Sequence, residues 1–485
     1  MKTRKSLITT FSLLLTCSLL TSCVSTEVAN TRNEIRNELI ARNASRVRAR
    51  GAIQSHTGLK PTDDLPRLVG PLSLKDAITL AMANNRTLRT AYLTRSESEG
   101  LVTQSIAEAL PNITADASAS VREPAENQSD FYSLGVEVMQ PLWRSGSVAA
   151  GLRYAKLYAA SNDFAIREQV QITVFDVVSQ YTDILLKQHL LDVYEEASAV
   201  AERLLATTRS RRKQGTVSDY EVLRAEVEVA RTNAERINGR NARQSAIVAL
   251  FQSLGVSQDS DVTFSGHLAY TAEAFDLTAA SAIAAVERPD IARAHAALKM
   301  AEEQIKIVQA DYGPKADAFA SGDYSNVKND SWNDEWILGA RVKLIIFDGF
   351  ERRGRMTSTK SRRDQAEEKL RDTEERAHVQ LVDALLRLRY ADELYHSQEK
   401  NIELATEALR IIEVGSNRGR NTQVEVLDAR AALTEAMGTY YKAIHAQGLA
   451  RLSIRRVMGT LSPNDPMDSI VTPPPTHVSP TQRGE

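Results

Sequence analysis

Two long tracts of the sequence carry apolar residues at the alternating three- and four-residue spacing of a coiled coil. The tracts run from about Ser147 to Leu254 and from about Gly349 to Met458. In the first tract the stripe comprises Leu186, Leu190, Val193, Ala197, Val200 and Leu204. In the second it comprises Val426, Ala429, Leu433, Ala436, Tyr440, Ala443, Gln447, Ala450, Ile454 and Val457. This spacing predicts long helices that pack along continuous seams.

A glycine interrupts each tract near its middle. Gly215 and Gly419 are both flanked by polar residues, and we interpret each as the tip of an antiparallel helical hairpin. The first arm, from Ser147 to Arg212, has 66 residues. At about 1.5 Å per residue it would be roughly 100 Å long, far longer than a globular domain needs.

Before each tract, the pattern predicts one helix that ends at a proline and is followed by two strands. The helices are expected from about Leu74, after the capping residue Ser73, to Ala109 and from about Thr278 to Asp311. β-hairpins are expected over 112–142 and 315–347, because apolar and polar residues alternate there.

The clearest alternation lies in the last of these four strands. One face holds Trp336, Leu338, Ala340, Val342 and Leu344, and the other holds Ile337, Gly339, Arg341 and Lys343. Roughly 9–11 residues suffice for a tilted strand to cross a bilayer. Four strands cannot close a barrel and open edges are not tolerated in lipid, so several copies would have to share one barrel. Three copies, giving twelve strands, are one geometric possibility.

The whole order of elements occurs twice. Leu74 and Leu277 are 203 residues apart, and Gly215 and Gly419 are 204 apart. We therefore predict a mainly α fold with a small β part, organised as a first repeat over 72–256, a linker over 257–274, a second repeat over 275–459 and a flexible tail over 460–485.

The N-terminus has a basic head followed by an apolar run from Leu7 to Leu20, which predicts a signal peptide over 1–22. The run ends in Leu20-Thr21-Ser22-Cys23, which resembles the lipobox of bacterial lipoproteins. By that resemblance Cys23 is the acylated first residue of the mature chain, and 23–71 is a lipidated tether. The alternative is an ordinary signal peptide with a bystander cysteine.

Composition and motifs narrow the function. The 60 basic and 62 acidic residues nearly balance, which argues against a nucleic-acid partner. The sequence has no Gly-x-Ser-x-Gly, no His-Glu-x-x-His, no glycine-rich phosphate loop and no cysteine pair for a metal. We expect neither an enzyme nor a bound cofactor or metal.

Four features of the sequence resemble the TolC family of outer-membrane efflux channels. They are the duplicated opening around Leu72 and Phe275, the Leu110-Pro111 before the first hairpin, the Pro141-Leu142-Trp143 exit and the twin Gly-x6-Val-Leu-x-Ala tips. The resemblance covers about 72–459. It implies a homotrimer with a twelve-stranded barrel in the lipid of the Gram-negative outer membrane. It also implies a helical tunnel through the periplasm that meets a periplasmic adaptor and an inner-membrane pump. The lipidated cysteine is similar to that of the family's lipoprotein branch.

The same resemblance implies two functional regions at the tips. The family's gate acids match Glu425 and Asp428, its usual arginine is replaced by Asn421, and Arg420 or Arg224 could substitute for it. The groove that contacts the adaptor matches Arg211, Gly215, Arg418 and Gly419. A ring of such acids would repel and raise some of their pKa values unless cations offset the charge. The alternative for both acids is a solvated helix face.

Two other functions fit parts of the pattern. One is an exit channel for type I protein secretion, which lipidation mildly disfavours. The other is a periplasmic coiled-coil scaffold lipoprotein whose hairpins pack in soluble form, which the amphipathic strands disfavour. The sequence does not define the cargo.

Overall fold

The computed structural model describes residues 65–122, 129–327, 332–418, 420–465 and 470–472. The predicted signal peptide, Cys23, Gly419 and most of the predicted tether and tail lie outside these residues. The chain divides into two compact units, 1–68 and 69–485, and all the elements below belong to the second. Only residues 65–68 of the first unit are described.

Long helical hairpins dominate the fold. The helices of the described residues are α1 Leu74–Asn84, α2 Arg86–Ala107, α3 Ser147–Lys213, α4 Asp219–Leu254, α5 Leu277–Glu287, α6 Pro289–Ala310, α7 Glu351–Asn417 and α8 Gln423–Val457. Helices α3 and α4 form the first coiled-coil hairpin, and α7 and α8 form the second, as predicted. Every position of the predicted α8 seam is buried or half-buried.

The prediction of one continuous helix before each β-hairpin was wrong. Asn85 is extended between α1 and α2, and its side chain accepts a hydrogen bond from the Leu88 amide and donates one to the Ser253 carbonyl. Arg288 is extended between α5 and α6, since it precedes Pro289, and a proline disfavours helical geometry in the residue before it. Ser73 caps α1 as expected.

The strands are β1 Val69–Leu72, β2 Asn112–Arg122, β3 Ser129–Trp143, β4 Asp261–Phe264, β5 His267–Leu268, β6 Lys315–Val327, β7 Trp332–Lys343 and β8 Val471–Thr472. The two predicted hairpins, β2–β3 and β6–β7, are confirmed. Strands β3 and β6 also pair, which gives one antiparallel four-stranded sheet in the order β2-β3-β6-β7. Strand β7 ends at Lys343, so Leu344 lies beyond it.

The register of this sheet separates an apolar face from a polar one. Val136 is opposite Ala115 and Gly322, and Leu338 is opposite Ala320, all on the apolar face. On the same face the apolar side chains are strongly exposed within one chain, with Trp336 at 80% and Leu338 at 86%. The opposite face carries Asp116, Glu137, Asp317, Asp323, Arg341 and Lys343.

Two small sheets at the repeat junctions were not predicted. Strand β1 pairs in parallel with β4, and β5 pairs with β8. The hydroxyl of the fully buried Tyr181 on α3 lies 2.7 Å from the Leu72 carbonyl oxygen and accepts a hydrogen bond from the Ser265 amide at 3.1 Å. This side chain therefore holds the linker after the first repeat against the long helix.

Candidate gate and adaptor-contact tip

The turn of the first coiled-coil hairpin depends on a left-handed residue. Gly215 has φ +75°, a conformation that glycine adopts without steric cost, and a Cβ there would meet nothing within 4 Å. The amide and hydroxyl of Thr216 both donate to the Arg211 carbonyl, at 3.0 and 2.9 Å. Backbone conformation, and not crowding, thus requires the glycine.

An ion pair that the sequence analysis missed closes the same turn. The Arg212 guanidinium donates two hydrogen bonds to the Asp219 carboxylate, at 2.5 and 2.7 Å. Hydrogen bonding to Arg212 lowers the pKa of Asp219 below its usual value. The pair joins the end of α3 to the first turn of α4, so it fixes the tip within one hairpin.

The second tip is built around Gly415. Its carbonyl oxygen accepts hydrogen bonds from the amides of Arg418 and Arg420, at 3.1 and 2.9 Å. A Cβ on Gly415 would lie 1.8 Å from the side-chain oxygen of Asn421, so only glycine admits the amide there. The Asn421 side chain therefore packs closely against Gly415 in this turn, although an arginine was expected at position 421.

Glu425 has a local role in capping α8. Its carboxylate accepts hydrogen bonds from the Asn421 side chain at 2.8 Å and the Thr422 amide at 3.1 Å, while the Glu425 amide donates to the Thr422 hydroxyl at 3.3 Å. These contacts form a reciprocal capping box. The hydrogen bond from Asn421, helped by that from Thr422, lowers the pKa of Glu425 within one chain, which is opposite to the shift expected from a ring of like charges.

Asp428 is exposed and faces the other hairpin. Its carboxylate lies 3.9 Å from the guanidinium of Arg224 on α4, which also hydrogen-bonds the Tyr220 hydroxyl at 3.5 Å. Arg420 is exposed too, and the described contacts include no ion pair between it and either acid. Of the two arginines proposed to replace the missing one, the geometry thus brings only Arg224 to a gate acid.

A hydrogen bond also joins the two hairpins close to their tips. The side-chain Nε2 of Gln423 donates a hydrogen bond to the Thr208 hydroxyl on α3 at 2.9 Å. Arg211 and Arg418, predicted to contact an adaptor, are both exposed, and Gly419 lies outside the described residues. The tip thus combines fixed turns with two inter-hairpin contacts, of which Arg224–Asp428 is exposed and Gln423–Thr208 is partly buried.

The capping box makes the tip sensitive to acid in a defined range. A carboxylate whose pKa is lowered on folding stabilises the folded state above its ordinary value of 4.5 and loses that effect as pH falls through the lowered value. We expect protection of the Thr422 amide from hydrogen exchange to stay constant from about pH 7 to pH 5 and to fall only below 4.5. In the control Glu425→Gln this dependence should disappear. Loss of protection well above pH 5 would instead reveal like-charge repulsion between copies.

The described ranges contain neither a metal-binding cluster nor a helix that could span a membrane. No group of three or more His, Cys, Asp or Glu side chains there is arranged to hold a metal ion. None of the helices described has a stretch apolar and long enough to cross a membrane.

Comparison with known families gives one match that covers most of the chain. The model described as "Outer membrane efflux protein" matches residues 77–256 and 281–460. These two segments coincide closely with the two repeats that the sequence shows, 72–256 and 275–459.

Individual relatives are distant but nearly full-length. The chain is 23% identical to the outer membrane protein TolC of Vibrio cholerae over 413 residues, covering 82% of this chain and 92% of TolC. It is 22% identical to the cation efflux system protein CusC of Escherichia coli K12 over 403 residues, covering 80% and 86%. The crystal structure of the Campylobacter jejuni CmeC outer membrane channel superposes with a TM-score of 0.71 at 15% identity, covering 81% of this chain and 87% of CmeC. These likenesses establish a shared fold.

Proposed function

The chain belongs to the outer membrane efflux protein family, and we propose that three copies form the outer-membrane duct of a tripartite efflux system. Each copy contributes its four-stranded sheet to a twelve-stranded barrel, and its helices extend into the periplasm as a tunnel. The duct is passive. A periplasmic adaptor and an inner-membrane pump deliver cargo to it and supply the energy.

The observation that carries this proposal is the open amphipathic sheet. Within the described residues, β2 and β7 are its edges and each pairs on one side only. Its apolar face is exposed in one chain, with Val342 at 70% and Leu338 at 86%. A bilayer accepts such a face but not unpaired edges, and three related sheets joined edge to edge satisfy both conditions.

The exposed faces of the helical hairpins support the same assembly. On α4, Tyr220, Leu223 and Val227 are between 60% and 68% exposed and lie on one helix face. On α7, Leu404 and Ile411 are 59% and 56% exposed, also on one face. We propose that these stripes meet between neighbouring copies, since apolar helix faces of this length are seldom left in water.

The mass of the purified protein tests the assembly. We expect light scattering in detergent, with the detergent contribution subtracted, to give three times the mass of one mature chain. Circular dichroism on the same sample should retain the β signal. A monodisperse monomer with an intact β signal would rule out the shared barrel and favour the periplasmic scaffold.

We propose that the tips perform two tasks. Arg211, Gly215, Arg418 and Gly419 would contact the adaptor, and Glu425 and Asp428 would line the closed gate. The exposure of both arginines and the Arg224–Asp428 contact between hairpins support these assignments.

The exit of the second β-hairpin supports the orientation in the membrane. Ile346 and Phe347, just after β7, are 91% and 71% exposed, and Trp143 at the end of β3 is 58% exposed. Tryptophan side chains such as that of Trp143 are enriched at the membrane–water boundary. We therefore place the ends of β3 and β7 at the periplasmic surface of the outer membrane, with the long helices extending from there into the periplasm.

The lipid anchor is proposed to assist insertion without building the channel. An acyl group on Cys23 adds about 0.8 kcal/mol per buried methylene, whereas a barrel presents a whole apolar belt to the bilayer. We expect Cys23→Ser, secreted behind a cleavable signal, to remain a trimer in the outer membrane, at a level reduced by about twofold to fivefold. Fractionation and detergent extraction measure this. If the variant is a soluble periplasmic monomer, the barrel proposal fails.

A further inference from the structure

A half-open cavity of about 230 Å³ lies between the two helical hairpins and is lined by residues of all four long helices. Several of the side chains that surround it are small. They include Ala197 and Ala201 on α3, Thr232 on α4, and Ala431 and Thr434 on α8. Small residues at one level leave a gap, because the helix axes cannot collapse around it over such a short length.

The walls of the cavity are mainly aliphatic. Val193, Val200 and Leu204 on α3 face Leu427, Leu433 and Met437 on α8. Four of the six predicted seam positions of α3 line this cavity. At this level the coiled-coil stripe is thus only half-buried and presents an apolar surface that a small molecule can contact.

The polar groups at the cavity are partly paired. Glu228 pairs with Arg231 at 2.6 Å, and Glu413 pairs with Arg430 at 2.6 Å. The Arg430 Nε–H is buried and donates to no group in the described structure. Glu196 is exposed at the rim, and none of the described contacts gives it a cationic partner.

We propose that this cavity is a binding site for a small amphipathic amine that also carries a neutral hydrogen-bond acceptor. The three carboxylates of the lining outnumber its two guanidinium groups, so a cation is favoured over an anion. The apolar body would occupy the aliphatic walls and the ammonium would pair with Glu196. The neutral acceptor would take the unused Arg430 Nε–H once the partly exposed Arg430 side chain turns towards the cavity. A buried donor without an acceptor is costly, so a ligand that satisfies it gains affinity.

The volume sets the size of the ligand. Ligand pockets generally begin at about 300 Å³, so this cavity suits a molecule smaller than a typical drug. With few non-hydrogen atoms, its dissociation constant should be on the order of 0.1–1 mM. Because the site joins α3 to α8, an occupant would contact both hairpins at once. This proposal goes beyond the proposed function, since it concerns the channel wall and not conduction.

The probe is phenoxyethylamine, which has an aromatic body, an ether oxygen and an ammonium group. It is titrated by ligand-detected NMR against the full-length protein in detergent, with empty micelles as a blank because amines enter micelles. Phenoxyacetate, of similar size but opposite charge, is the matched ligand control. We expect saturable binding of the amine and at least about tenfold weaker binding of the anion, a difference equivalent to about 1.4 kcal/mol.

Two variants test the site. Ala431→Leu fills the cavity and should abolish saturable binding. Glu196→Gln leaves the volume intact and should weaken amine binding about threefold, the size expected for an exposed ion pair. Equal binding by Ala431→Leu, equal binding of the anion or the absence of saturation would overturn the proposal. If Ala431→Leu does not assemble, Glu196→Gln decides, and an unchanged affinity there overturns the assignment of the amine. A conducting channel that binds no probe would refute this proposal alone.

Discussion

Replacing both gate acids, by Glu425→Gln together with Asp428→Asn, should raise the resting conductance of the reconstituted channel about tenfold. A tenfold change requires about 1.4 kcal/mol of lost preference for the closed state. One exposed pair such as Arg224–Asp428 contributes at most about 1 kcal/mol, so three related pairs around one axis supply up to about 3 kcal/mol, a range that includes the required value. The variant should also lose part of any cation preference and admit large antibiotics that a closed tip excludes.

The choice of substitutions separates gating from folding. Glutamine also serves at this position of a capping box, so Glu425→Gln removes the charge and retains the cap that alanine would lose. Asp219→Asn is a matched control, because Asp219 is another exposed acid at the tip but pairs with Arg212 inside one hairpin. Planar-bilayer recording measures the conductance and the ion selectivity of the double variant and of this control. Unchanged conductance and selectivity in a correctly assembled double variant would show that both acids belong to a solvated helix face and have no role in the gate.

A single charge on the apolar face of the sheet should prevent assembly in the membrane. Leu338→Arg places a guanidinium in the middle of β7, where the native side chain is 86% exposed and faces away from the polar side of the sheet. In a barrel this position meets lipid, at a cost of about 2–4 kcal/mol for each copy. We expect little or no trimer in the outer-membrane fraction.

The adjacent residue provides the control. Ile337 is 45% exposed and belongs to the opposite face, which already carries Arg341. Ile337→Arg should therefore assemble at nearly the native level. If both variants assembled equally well, the sheet would not lie in lipid, and the periplasmic scaffold would become the better explanation.

The elements that the sequence predicted best are those with local signals. Three- and four-residue spacing predicted α3 and α8, alternation predicted β7 together with its faces, and Gly215 marked a turn. The break at Arg288 also has a local signal in the following Pro289, although the pattern of apolar residues predicted one continuous helix there. The local signal for the break at Asn85 is weaker. Part of what stabilises this break is the hydrogen bond from the Asn85 side chain to the Ser253 carbonyl, which is distant in the sequence.

Local sequence signals of this kind do not predict contacts between distant segments. The pairing of β5 with β8 joins residues about 200 positions apart, and nothing near His267 indicates its partner. The same holds for Gln423 with Thr208. Resemblance to a family suggested Arg224 as one of two candidates, and only the 3.9 Å approach of Arg224 to Asp428 distinguished it from Arg420.

Arg224 and Asp428 occupy the same place in the two halves of the chain, 204 residues apart, just as Gly215 and Gly419 do. In an ancestor made of identical halves, a contact between these places would have set a residue against its own copy. Two arginines or two aspartates so close would have repelled. The Arg224–Asp428 attraction therefore requires the two halves of the chain to carry different residues at this place, and a symmetric chain could not form it.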